Sequence, residues 1–274
     1  MRLTKIETVD KYNEIIQQYQ KKGCLTNDFL HKEVSSLVKD GKLYEYCTDE
    51  NAFLFVKKDI GLRLYYYLNN IDSIADFDIE DDLVVEILFR GEKGFPKEEV
   101  DYLLRCGFIK HILRDQYSAL YKDIQLTQYD VPGLNIYIAK TIEEIEYAVK
   151  LFNQTFDNYT GNYIPLTECD GLLDDRCILI AKLDSEYAGA MHFRRDGKLI
   201  WAEHNVVERW CRGKHIGNQL CNAFIETAKI DEHTRYTRWT QHAGQAAKMY
   251  EKLGFKYVNK SSFSMLKLYN NKTN

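Results

Sequence analysis

An internal repeat constrains this chain more than any single motif does. Thr8-Val9-Asp10-Lys11-Tyr12 resembles Thr141-Ile142-Glu143-Glu144-Ile145, and Leu103-Leu104-Arg105-Cys106-Gly107-Phe108 parallels Tyr250-Glu251-Lys252-Leu253-Gly254-Phe255. Tyr117-Ser118-Ala119-Leu120 parallels Phe263-Ser264-Met265-Leu266 with one residue of slippage. Matches in the same order mean that one supersecondary unit is used twice. A length of 274 residues suits two domains of about 130 residues each. The clearest punctuation near the middle is Tyr129-Asp130-Val131-Pro132-Gly133, where Pro fixes φ and Gly permits unusual dihedrals. The expected domains are therefore 1–130 and 131–274.

In the second half, Asn135 to Ala139 reads as a strand. Thr141 then caps a helix with Glu144 as its capping-box partner, and Ile145, Ala148, Val149 and Phe152 form one apolar helix face. The stretches Cys177 to Leu183, Tyr187 to Arg194 and Leu199 to Val207 are joined by turn residues and predict an antiparallel meander. A Gly-containing loop at 212–217 follows. After it come a helix from about Ile216 to Ile230, a strand around Tyr236 to Thr240, a helix from about Gly244 to Leu253, and a final strand pair from Phe255 onward. The class is α/β (α+β): two domains, each with a mostly antiparallel central sheet flanked by helices. The first half shows the same order in degraded form, with Ala52 to Val56, Leu62 to Leu68 and Leu83 to Phe89 as strands. The span from Tyr67 to Leu83 is much shorter than its counterpart from Phe193 to Tyr236, which leaves no room for the Gly loop and its helix.

Composition narrows the function. Hydrophobic residues make up 45% and charged residues 28%, and no apolar run is long enough to span a bilayer. The N-terminus lacks a signal or transit pattern, so no membrane role is expected and a cytoplasmic protein is the default. A net charge of −4 without a Lys/Arg block argues against a nucleic-acid partner. The seven scattered cysteines contain no CxxC pair, so no metal site and no disulfide framework is read. Assembly as a monomer or homodimer is expected.

The stretch Val206-Val207-Glu208-Arg209-Trp210-Cys211-Arg212-Gly213-Lys214-His215-Ile216-Gly217-Asn218 supplies a strand end, a short loop and a helix N-terminus. Such a junction aims unpaired backbone N–H groups and a helix dipole at one point, which suits a pyrophosphate, although a Gly at a helix start is also ordinary turn chemistry. The stretch resembles the signature of GNAT acetyltransferases, Gln/Arg-x-x-Gly-x-Gly/Ala, with Arg212 first and Gly217 last. His215 stands where Gly is usual, and its side chain must point away from the phosphates or contact them. A second segment, Ala246-Ala247-Lys248-Met249-Tyr250-Glu251-Lys252-Leu253-Gly254-Phe255, resembles the family's Ala-x-x-x-Tyr-x-x-x-Gly-Phe region. The resemblance implies a tandem-GNAT protein with a degenerate N-terminal half and acetyl-CoA as co-substrate. Cofactor contacts are then expected from Val206, Val207, Arg212, Gly213, Lys214, His215, Ile216, Gly217 and Asn218. The acceptor is then an amine on a small molecule, amino acid or peptide, which attacks the thioester carbonyl in a direct transfer.

Tyr250 falls on the family's tyrosine, whose hydroxyl can protonate the departing thiolate; the other reading is a half-buried Tyr supporting the last helix. Phenol and thiol acidities are close, which favours the catalytic reading. Glu203 is the candidate base, because a carboxylate on the central strand can take a proton from the incoming ammonium. By strand alternation Glu203, Asn205 and Val207 share one face and His204 the other. His242 is a lesser candidate, and Trp201 and Trp239 are expected to build sheet faces. Acceptor specificity is expected in the region from about Thr155 to Asp175. Two alternatives stand: a non-catalytic module that binds CoA or a metabolite, and a duplicated-GNAT transferase that joins an amino acid to another acceptor.

Overall fold

The computed structural model describes residues 2–27 and 30–269. In chain order the elements are β1 (Thr4–Lys5), α1 (Val9–Tyr19), β2 (Leu25–Thr26), α2 (Val34–Lys39), β3 (Leu43–Cys47), β4 (Asn51–Lys57), β5 (Leu62–Leu68), β6 (Leu83–Phe89), α3 (Lys97–Arg105) and β7 (Ile109–Leu120). They continue with β8 (Leu134–Ile138), α4 (Ile142–Thr155), α5 (Cys169–Asp175), β9 (Ile178–Leu183), β10 (Glu186–Asp196), β11 (Leu199–Val207), α6 (Ile216–Ala228), β12 (Arg235–Gln241), α7 (Gln245–Lys252) and β13 (Lys256–Lys267). The chain divides into two compact units, Met1–Leu113 with Ser261–Asn274, and Arg114–Lys260.

The helix starts read from the repeat are real caps. Thr8 accepts from the Lys11 N–H and Thr141 accepts from the Glu144 N–H, each satisfying a donor that the first turn leaves unpaired. The Glu144 carboxylate turns back to the Lys140 N–H at 2.8 Å and the Tyr137 hydroxyl at 2.7 Å.

In the first unit the strand order is β1-β3-β4-β5-β6, followed by residues 261–267 of β13, with β2 added beside β5. One face packs Phe53, Phe55, Phe77 and Phe108 with α3, and the other packs Leu54, Val56 and Tyr67 with α1 and α2. Strand β4 is buried on both faces and accordingly reads as a continuous apolar run. β5 and β6 are parallel and pair from Leu62↔Leu83 to Leu64↔Val85, where the register ends. Beyond that point buried Asn27 fills the gap. Its Nδ2 donates to Leu64 O at 3.1 Å and Glu86 O at 3.0 Å, and its Oδ1 accepts from Tyr66 N–H at 2.9 Å. Among the described elements no helix lies between β5 and β6.

In the second unit residues 114–120 of β7 pair with β12, and the order continues β12-β11-β10-β9-β8. The meander β9-β10-β11 is antiparallel, as expected. Helices α6 and α7 cover one face through Leu220, Cys221, Phe224, Ile225 and Tyr250. Helix α4 covers the other through Ile145, Ala148, Val149 and Phe152, the face read from the sequence. Each such side chain contributes roughly 1.5–3 kcal/mol when fully buried.

Two expectations on connectivity need correction. The final strand pair is a single strand, β13, of 12 residues. The partner that a closing hairpin would give β12 is supplied instead by residues 114–120 of β7, which belong to the second compact unit. The sequence break at 130/131 also does not coincide with the contact boundaries, which fall inside β7 and β13. The punctuated segment itself lies against α6: Asn222 Nδ2 donates to Thr127 O at 2.9 Å, and Gln219 donates to Tyr129 O.

Candidate active site

The site is built where two parallel strands part. β11 and β12 pair at Leu199↔Arg235, Ile200↔Tyr236 and Trp201↔Thr237, and the register stops there. Beyond that point residues 202–207 and 238–241 are not paired with each other, on a sheet whose one face α6 and α7 cover. Close by, β11 carries a β-bulge. On β10, His192 pairs with His204 and Phe193 with Ala202, so Glu203 is an extra residue on β11. The bulge also overturns the alternation expected from sequence. Ala202 joins the core under α6, whereas His204 lies against Phe152 and Phe156 of α4. Asn205 and Val207 therefore face α6, and Glu203 does not share their face. Its carboxylate accepts from Asn162 Nδ2 at 2.8 Å and pairs with Arg194 Nε at 3.4 Å.

The loop after β11 leads into the start of α6. Gly213 adopts φ +83° with open space on its β-carbon side, and a β-carbon on Gly217 would stand 3.4 Å from Val207 Cγ2. Helix α6 starts at Ile216 with no side-chain cap. The N–H groups of Asn218 and Gln219 turn to His215 O, while those of residues 213–217 find no backbone acceptor among the described residues. A row of free N–H groups at the positive end of a helix fits a diphosphate.

The side chains of the loop point elsewhere. Arg212 Nε donates to Val207 O at 3.2 Å, Lys214 lies over the Trp210 ring at 5.5 Å, Ile216 is buried, and Val206 packs on the α4 side. His215 takes φ +61°, the left-handed conformation that the usual Gly adopts freely and other residues adopt at about 1–2 kcal/mol. Its ring stacks on Tyr129 with centroids 4.0 Å apart and planes 4° apart, which turns it aside from the N–H row.

A polar cluster surrounds Tyr250 under α6 and α7. Tyr250 is buried, with its hydroxyl 3.2 Å from Cys221 Sγ, and Asn205 Nδ2 donates to the same sulfur at 3.0 Å. Complete burial pushes the Cys221 thiol up to about 11, so it is not a nucleophile at neutral pH. Arg238 of β12 lies over the Tyr250 ring at 3.7 Å. Asn205 Oδ1 and the Nε and Nη1 atoms of Arg238 are buried without hydrogen-bond partners among the described residues. From the sequence Asn205 had a face but no role, and neither Arg238 nor Cys221 was singled out. A faint signal existed for Arg238, an arginine on the same strand face as Tyr236, a core residue.

On the α4 side, His204 is buried with Nε2 2.7 Å from Gly161 O and Nδ1 3.3 Å from His192 Nδ1. Asp157 holds the turn at 159–160, and Arg114 Nη2 reaches Thr160 Oγ1 at 2.8 Å. The expected specificity region is thus tied to β7, and through Asn162 to Glu203. His242 lies just before α7, and its Nδ1 meets Asp115 Oδ2 at 2.6 Å. Trp201 lies under Arg194 at 5.5 Å and Trp239 under Lys260 at 5.6 Å. Among the described residues no cluster of His, Cys, Asp or Glu could hold a metal ion, and no helix is long and apolar enough to cross a membrane.

A meander, a bulged strand, a bare helix N-terminus and a parallel strand that parts from its neighbour together make up the fold of the GNAT acetyltransferases. Residues 174–257 match the acetyltransferase (GNAT) domain family in sequence, from the end of α5 to the start of β13. Among solved structures the chain is similar to a tandem GNAT protein from the clavulanic acid biosynthesis pathway, at 10% identity, 99% of each chain and TM-score 0.57. A GCN5-related N-acetyltransferase from Kribbella flavida is similar at 11% identity, 85% of this chain, 94% of that one and TM-score 0.54. Another from Sphaerobacter thermophilus is similar at 9% identity, 86% of each chain and TM-score 0.56. At such identities the shared property is the fold. No curated protein matches the chain in sequence.

Proposed function

We propose that the second unit is an acetyl-CoA-dependent N-acetyltransferase that acylates an amine by direct transfer. The observation that carries this reading is the unpaired N–H row of residues 213–217 at the start of α6, the helix whose Cys221 meets the Tyr250 hydroxyl. Acetyl-CoA supplies an acyl group on sulfur, and transfer to an amine yields an amide and a thiol.

The N–H groups of residues 213–217 hold the diphosphate, Gly217 permits close approach beside Val207, and the strand edge at Val206 and Val207 guides the chain of the ligand inward. Glu203 removes a proton from the incoming ammonium, directly or through water. The Tyr250 hydroxyl already meets a sulfur, that of Cys221 at 3.2 Å, which is the distance at which it can donate to a thiolate. The acceptor is an amine on a small molecule, amino acid or peptide.

The test is calorimetric binding of CoA together with thiol release from acetyl-CoA across an amine panel. Gly217→Trp should abolish binding and leave the circular dichroism spectrum unchanged; unaltered affinity would remove the core of the reading. A second reading, a module that binds CoA without turnover, draws on one observation: the Glu203 carboxylate is already engaged by Arg194 and Asn162. Binding without thiol release for every amine would select it.

A further inference from the structure

Arg238 lies on β12 one residue beyond its last pair with β11, on the sheet face covered by α6 and α7. Only 7% of it is exposed, and its Nε and Nη1 atoms are shielded from solvent with no acceptor among the described residues. Burial draws its pKa down to about 10, and Cys221 and Glu203 act on it only electrostatically, in the opposite sense. A guanidinium in such a place is normally paired with a carboxylate, because desolvating a lone cation is costly. The contact with the Tyr250 ring, Cζ to centroid 3.7 Å, offsets part of that cost and leaves the charge unclaimed. The sequence therefore keeps a cation buried, unpaired and stacked on the very ring whose hydroxyl faces a sulfur atom.

We propose that Arg238 is the electrostatic partner of the sulfur that departs during acyl transfer, holding its negative charge until Tyr250 protonates it. This rests on the acyltransferase reading above. As the amine nitrogen bonds to the carbonyl carbon, the carbon–sulfur bond breaks with its electron pair on sulfur. Arg238 neutralises that charge in a medium where little water can do so, and the Tyr250 proton passes to sulfur. The proton lost by the amine restores Tyr250. Cys221 shows that a thiol fits this environment: its sulfur touches both the Tyr250 hydroxyl and Asn205 Nδ2, yet its own burial keeps it protonated and leaves Arg238 free. The charged and titratable groups that act on Arg238 or on which it acts are Tyr250, Cys221, Glu203 and His204.

The experiment is ultraviolet titration of the thiol of bound CoA, with desulfo-CoA as the reference ligand, in the full chain and in Arg238→Met and Arg238→Lys. In the wild type the bound thiol should ionise about one pH unit or more below its free value, a tenfold shift in equilibrium. Arg238→Met should lose that shift while binding desulfo-CoA as the wild type does, and Arg238→Lys should retain part of it. Ligand-free Arg238→Met should also melt higher, since a costly unpaired charge has been replaced by an apolar chain of similar length. Identical thiol titrations in wild type and Arg238→Met would overturn the proposal. So would equal losses of affinity for CoA and desulfo-CoA, or a lower melting temperature, either of which marks Arg238 as packing. A preference for carboxylate-bearing acyl chains that vanishes in the variant would assign the charge to substrate instead, and would also overturn it. If the wild type binds neither ligand, the acyltransferase reading fails first, so the two failures are separate.

Discussion

Tyr250 combines burial with a polar contact to sulfur, so replacing it by Phe removes one hydroxyl and almost no volume. Tyr250→Phe is expected to lower turnover by roughly 10²-fold or more, the usual range for a general acid, with CoA affinity nearly unchanged. Steady-state thiol release beside calorimetry checks this, and an unchanged rate would reduce Tyr250 to a packing residue. The His192–His204 pair makes a different statement, about pH. Burial is the main cause that lowers both, His192 to about 3 with repulsion from His204 and Arg194, and His204 to about 4 despite its bond to Gly161 O. Both are neutral when folded and titrate near 6.5 when unfolded, so below that pH the unfolded chain binds more protons. Their contribution is complete above about pH 6.5 and is lost as pH falls toward 4 and 3, with a slope approaching about 1.4 kcal/mol per pH unit for each histidine. His192→Gln should flatten the acid limb of the melting-temperature profile, and an unchanged slope would count against this assignment.

Two pairs of parallel strands part in the same way, β5 from β6 and β11 from β12, and what fills each gap differs. Between β5 and β6 the chain supplies its own filling, Asn27, which meets acceptors on both strands and a donor on one. After β11 the loop of residues 213–217 and the start of α6 leave N–H groups unpaired. Backbone groups seek partners wherever strands diverge, so a filled gap suits a structural role and an unfilled one suits a ligand. Removing the Asn27 side chain strands buried groups at about 1–3 kcal/mol each. Asn27→Ala should therefore lower the urea midpoint by an amount corresponding to a few kcal/mol, without altering CoA affinity. Titration of the intact chain should give one CoA per chain; a second equivalent would show that the first unit also binds it.

At the scale of the whole molecule, each compact unit depends on residues from the other half of the sequence. Residues 114–120 complete the sheet beside β12, and residues 261–267 complete it beside β6. Ser264 Oγ joins that strand to β7 by bonding both N–H and C=O of Ile112, at 3.2 and 3.1 Å. A fragment of residues 1–130 would lack the strand that pairs Phe263, Met265 and Leu266 with β6, along with two side chains of its core, Phe263 and Met265. It is expected to be unfolded or self-associated by circular dichroism and sedimentation, whereas a folded monomeric fragment would contradict this dependence.

Much of this was legible from residue order alone. Helix caps at Thr8 and Thr141, the α4 face, the meander and the Gly loop follow from local rules whose partners lie within a few residues, and the repeat carried them to both halves. The candidate site was legible only where it is backbone: the loop of residues 212–217 stood out through local turn and helix-start chemistry together with its resemblance to a GNAT signature. What the tertiary structure decided is what depends on distant partners. One extra residue on β11, defined only against β10, moved Glu203 off the face of Asn205. The position of Arg238 over Tyr250 needed β12 and α7 to meet, and the destination of β13 needed β6 as its neighbour. Local sequence sets dihedral preferences and polarity patterns, whereas register, exchange of strands and convergence of side chains are settled by which surfaces pack together.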